Sequence, residues 1–243
     1  MEASIDQLQY NVVAFVIDLI AAILLLRTYA GMNNSRFLLH LAIGFGIISL
    51  AHIVDAVVSA INLFPGVPID DIKRLAEKVD LLFSCLSTFF FILSFLLLWH
   101  YPNQSVRPET FAAITGILGV LVALVTFIQA DPHDSVFLKT IDIFTSLVGC
   151  VCVGIGLVMI ASGQKSIIAG WMAASAFCLW GFAQLPFWFD HVTPNLHQLY
   201  FYSLSIISLA AAIATIIFCT LTLPDRVLYS GSGPESELKD RPA

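Results

Sequence analysis

The stretch FLLHLAIGFGIISLAHIVDAVVSAINL, residues 37–63, decides how the rest of the chain is read. It holds no Lys, Arg or Glu and one acid, Asp55, and its Leu, Ile, Val, Phe and Ala show no period-two alternation. At about 1.5 Å per residue, some 20 such residues cross the roughly 30 Å of hydrocarbon in a bilayer as a helix. The lack of alternation argues against a strand of a membrane barrel. His52 and Asp55 stand inside this run, and their presence there calls for a reason.

Comparable apolar runs recur near 10–29, 80–101, 110–130, 140–162, 166–189 and 198–222. Across the 243 residues 58% are hydrophobic and 12% charged, and the mean hydropathy is +0.90, far from soluble averages. The sequence predicts an all-α integral membrane protein with seven transmembrane helices over residues 1–225. Residues 226–243 are polar, without an apolar period, and are expected to form a disordered cytoplasmic tail. The opening MEASIDQLQY has acids where a secretory signal would carry basic residues, so the first run is expected to be retained. Between the second and third runs, after Pro68, Asp70 and Asp71 open a helical pattern, expected as a short helix that leads into the third run at the outer interface.

Basic residues set the expected orientation. Arg27, Arg36, Arg107, Lys165, Arg226, Lys239 and Arg241 fall on one side, against Lys73, Arg74, Lys78 and Lys139 on the other. The positive-inside rule then puts the N-terminus out and the C-terminus in, with the cytoplasmic (plasma) membrane as the expected location. The net charge of −6 collects on the outer side and gives no nucleic-acid signal.

The region from the second run through the third aligns with the region from the sixth through the seventh. Arg36 meets Lys165, Leu50 meets Leu179 and Asp55 meets Gln184; FSCLS (83–87) then meets FYSLS (201–205). This suggests a 3+1+3 parallel repeat, 10–101 and 140–222, joined by a linker helix at 110–130. Chance alignment of two apolar helices is the competing reading. The arrangement resembles, in architecture only, the 3+1+3 seven-helix proteins that include sugar and vitamin facilitators and PQ-loop transporters.

Ionisable groups inside a bilayer are costly and usually face the bundle interior or water. Asp18 lies about 12 Å into the first run. His52 and Asp55, three apart, share a helical face where a carboxylate can hold the imidazole, and Gln184 falls at a similar depth in the sixth run. Trp180 and Gln184 share a face, and Pro186 is expected to kink that helix as a hinge. Tyr202 adds a hydroxyl from the seventh run. Asp18, His52, Asp55, Trp180, Gln184 and Tyr202 are the candidate ligand- or proton-binding set around an outward polar pocket. Against this stand the plainer readings: Asp55 reaching the interface, aromatic residues of the interfacial belt, and hydroxyls that bond backbone or bridge helices.

No cofactor is predicted. The seventh run has no lysine for a retinal Schiff base. Haem would need paired histidines, such as His40 with His100 or His52 with His191 or His197. The cysteines Cys85, Cys150, Cys152, Cys178 and Cys219 all fall inside apolar runs, without metal-ligand spacing. No phosphate loop, HExxH or nucleophile elbow occurs, and no catalytic residue is assigned. The expected partners are the lipid bilayer and a small-molecule or ion ligand, with a protein partner or a second copy of the chain left open. The functional expectation is a small-solute or proton-coupled transporter. The alternatives are a seven-helix sensor signalling through a separate partner, or a redox or accessory subunit of a membrane complex.

Overall fold

A computed structural model describes residues 2–31, 36–64, 70–100, 136–161, 167–183, 185 and 206–221. All regular structure among them is helical: α1 (Glu2–Gly31), α2 (Arg36–Ile61), α3 (Asp70–His100), α4 (Val136–Ala161), α5 (Ile167–Ala183) and α6 (Ile206–Leu221). The expected linker helix at 110–130 and the tail at 226–243 lie outside the described residues. Consecutive helices α1, α2 and α3 pack on one another, and α3 packs on α4 and α4 on α5.

Among the described residues, three helices are long and apolar enough to cross a membrane: Gln7–Gly31, Arg36–Ile61 and Asp70–Leu96. The apolar stretches Ser146–Ala161, Ile167–Ala183 and Ile206–Leu221 are shorter. Two boundaries differ from the sequence expectation. The first helix begins at Glu2, because EASIDQLQ combines helix-forming residues with acids placed at the positive end of the helix dipole. The short segment expected before the third run is continuous with it in α3. From Asp70 to His100 no Gly or Pro interrupts the chain, and Asp70 and Asp71 occupy the first turn, so the helix propagates without a break.

The distribution of polarity on α1 is inverted relative to a helix of a soluble protein. Its inward stripe is Asn11, Ala14, Asp18, Ala21, Leu25 and Thr28, stepping by three and four residues, and all six are buried. Its outward face carries Val12, Val13, Val16, Leu19, Ile20, Ile23 and Leu26, all exposed. Polar groups thus face neighbouring helices while aliphatic groups face out, which lowers free energy in hydrocarbon and raises it in water. On α2, Leu50, Ile53 and Val57 are likewise exposed.

The core is built from aromatic rings and small residues. Phe45 of α2, Phe91 of α3, and Phe177 and Trp180 of α5 form a cluster with ring centroids 5.7–6.3 Å apart. Gly44 makes room for it: a Cβ there would collide with the Phe91 ring. Between α4 and α5, Gly154 approaches the Ala174 backbone, Gly170 abuts Ala161 and Gly181 abuts Cys150. This antiparallel seam of small residues gives the close backbone approach that dispersion needs where lipid removes the hydrophobic drive for helix association.

Hydroxyls inside the helices mostly bond their own backbone. Thr28 donates to the Leu24 carbonyl at 2.8 Å, Ser49 to Gly46 at 2.7 Å, Ser87 to Ser84 at 2.8 Å and Ser94 to Phe91 at 2.6 Å. Such i−3 and i−4 bonds satisfy a polar group where water is absent. Two contacts join helices instead: Thr88 with Ser146 at 3.4 Å, and Tyr10 with Ser208 at 3.3 Å.

Candidate functional site

The stripe on α1 that carries Asp18 packs against the face of α2 that carries His52. His52 Nε2 lies 3.4 Å from Asp18 Oδ2, and the two side chains are 18% and 8% exposed. With the imidazole protonated the contact is an ion pair; with Nε2–H neutral it is a long hydrogen bond to a carboxylate. Asp18 lies about 16 Å along α1 from Gln7, and His52 about 13 Å along α2 from Ile61, at 1.5 Å per residue. The pair therefore sits well inside both spans.

Tyr10, two turns before Asp18, sets the edge of its ring against His52, with centroids 5.8 Å apart and planes at 90°. Its hydroxyl shares the hydrogen bond with Ser208 of α6, so the ring that walls His52 is itself fixed by a third helix. Two buried nitrogens here have no hydrogen-bond partner among the described residues: Asn11 Nδ2 and His52 Nδ1. Leaving such a group unpaired costs about 1–3 kcal/mol, so each calls for a partner such as water, an ion or a ligand.

One helical turn beyond His52, toward the end of α2, a cavity of about 300 Å³ opens between the start of α1, the end of α2 and the start of α3. Its wall is Gln7 from α1, Asp55, Val58, Ser59 and Asn62 from the end of α2, and Lys73 and Ala76 from α3. The α2 contribution follows i, i+3, i+4, i+7, one face of a helix. The helix closes just beyond it: Asn62 N donates to the Val58 carbonyl at 3.0 Å, and Leu63 and Phe64 tighten to i−3 bonds at 3.1 and 3.0 Å. Asp55 lies at the inner end of this wall, and His52 lies one helical turn farther along α2.

No family model, curated protein or solved structure matches this chain.

Of the candidate residues, the structure brings Asp18 and His52 into contact and places Asp55 on the cavity wall. Trp180 is packed against Phe91 and Phe177 in the aromatic cluster, which reaches α2 at Phe45, two turns from His52. Gln184, Pro186 and Tyr202 lie outside the described residues. The partner that sequence spacing suggested for His52 was Asp55, on its own helix; the carboxylate seen in contact is Asp18, from α1. Sequence reasoning missed Tyr10, Asn11, Gln7, Ser59, Asn62 and Lys73. Part of the signal was present: His52, Asp55, Ser59 and Asn62 step by three, four and three, a polar stripe through an apolar helix.

His40 illustrates the contrast. Its Nδ1 lies 2.7 Å from the Arg36 carbonyl, to which Nδ1–H donates, and its ring stacks on Phe90 with centroids 6.1 Å apart. Among the described residues no three His, Cys, Asp or Glu side chains gather in a metal-binding group.

Proposed function

We propose that this chain is a seven-helix membrane carrier, moving a small solute or protons through an outward-opening polar site. The supporting observation is the Asp18–His52 contact: an acid and an imidazole held together midway along two helices that are each long enough to cross a membrane. An isolated carboxylate there would be costly; a histidine in contact with it gives a proton a second site one hydrogen bond away. The cavity lined by Asp55 and Lys73 supplies an entrance, and the order Asp55, His52, Asp18 leads inward from it.

In this reading residues 110–130 add the linker helix of a 3+1+3 frame. The excess of Lys and Arg after the odd-numbered runs supports an orientation with the cavity on the outer face of the cytoplasmic membrane. Purified protein in liposomes with a trapped pH dye tests the proposal. Wild-type protein should carry protons inward under an imposed potential faster than protein-free liposomes do. A wild-type rate equal to that of empty liposomes, together with binding of a small solute, would favour a sensor instead.

A further inference from the structure

The cavity between α1, α2 and α3 carries one group of each charge. Asp55 contributes a carboxylate from α2 and Lys73 an ammonium from α3; Gln7 and Asn62 add two amides, and Ser59 a hydroxyl. Val58 and Ala76 supply the apolar part of the wall. We infer that this cavity binds a small zwitterion of the α-amino-acid class, its ammonium at Asp55, its carboxylate at Lys73 and a short aliphatic group against Val58 and Ala76.

Three features carry the assignment. The charges come from different helices, so a ligand bearing both signs can meet each with its complement, whereas a ligand of one sign meets a repelling group as well as an attracting one. The helix ends reinforce the separation. Asp55 and the wall beyond it lie toward the C-terminal, negative end of α2, and Lys73 lies in the first turn of α3, at its positive end. Asp70 and Asp71, in the same turn as that pole, are exposed and lie outside the lining. The size also fits: about 300 Å³ is at the small end of the range for ligand pockets, suited to a compact solute. The amides, each both donor and acceptor, can bond either end of such a ligand.

This inference rests on the reading of the molecule as a solute carrier only for the direction from which the ligand enters, and the test separates the two. The probes are glycine, L-alanine and L-valine, with valinamide retaining only the ammonium and isovalerate only the carboxylate. Binding is measured by titration calorimetry on the full-length protein in detergent micelles. At least one amino acid should bind about tenfold or more tightly than valinamide and isovalerate, the scale expected for losing one charge-assisted contact. Asp55→Asn should lower amino-acid affinity and, by removing a like charge, leave isovalerate binding no weaker than in the wild type. Lys73→Gln should do the converse, sparing valinamide. Equal binding of all probes, no saturable amino-acid binding, or indifference to both substitutions would overturn the inference. Should a variant fail to fold, the comparison of probes on the wild type still decides. Amino-acid binding without flux in liposomes would sink the carrier reading alone, whereas proton flux without discrimination among the probes would sink this one alone.

Discussion

Tyr10 stands edge-on to His52 while its hydroxyl bonds Ser208, so a single side chain on α1 ties the histidine of α2 to α6. Tyr10→Phe keeps the ring against His52 and removes the link to α6. Hydrogen bonds between membrane helices contribute about 0.6 kcal/mol on average. Tyr10→Phe and Ser208→Ala should each destabilise by roughly that amount, and the double variant by no more than either alone. Unfolding of the detergent-solubilised protein by increasing SDS fraction measures this, and fully additive losses would refute the link.

The Asp18–His52 contact makes a different prediction, because both members are largely buried. Removing one partner leaves the other in an environment that penalises a lone polar or charged group, at about 3–5 kcal/mol for a fully buried ion pair and less where water reaches it. Asp18→Ala should therefore be clearly destabilising. Asp18→Asn, which keeps a hydrogen-bond acceptor for His52, should cost less. Thermal unfolding of the two variants side by side checks the order, and an Asn variant less stable than the Ala variant would contradict it.

Packing around Gly44 gives a prediction independent of function. A methyl group there meets the Phe91 ring, which Phe45, Phe177 and Trp180 confine. Gly44→Ala should cost about 1–3 kcal/mol as overpacking. Phe91→Leu in the same chain should recover part of that loss, giving a non-additive pair. A melting temperature for Gly44→Ala within a degree of wild type would show that the ring yields freely.

How much of this was legible in the sequence differs from helix to helix. The long apolar runs identified α1, α2 and α3 because each exceeds the length a bilayer demands, a property of composition alone. Boundaries were less legible: the polar opening EASIDQLQ is helical by local propensity, which hydropathy does not register, and the helical pattern of DDIKRLAEKV did not tell that it runs unbroken into the third run. Asp18, His52 and Asp55 stood out because charge in grease is conspicuous. The pairing of His52 with Asp18 did not, since spacing along one helix identifies neighbours on that helix and says nothing about which stripe of another packs against it. Trp180 shows the limit from the other side. Its spacing suits a ligand wall, yet Gly44 opens room in the core that draws Phe91 and, with it, Trp180 into an aromatic cluster.

The arrangement of the cavity predicts sidedness. Gln7 and Lys73 line it at one end of the bundle, whereas Arg27 and Arg36 lie at the opposite ends of α1 and α2. In a variant lacking the native cysteines, Gln7→Cys and Lys73→Cys should react with an impermeant maleimide from one side of the membrane, and Arg27→Cys and Arg36→Cys only from the other. Labelling of all four from a single side would mean that α1 and α2 do not cross.

In the proposed carrier, protons or solute pass by way of the Asp18–His52 pair, and dye-loaded liposomes with matched amounts of wild type, Asp18→Asn and His52→Gln read that passage. Proton influx should appear in the wild type and fall at least about tenfold in both variants, the factor that a loss of about 1.4 kcal/mol in a rate-limiting contact produces. Wild-type influx that survives unchanged in both folded variants would contradict it.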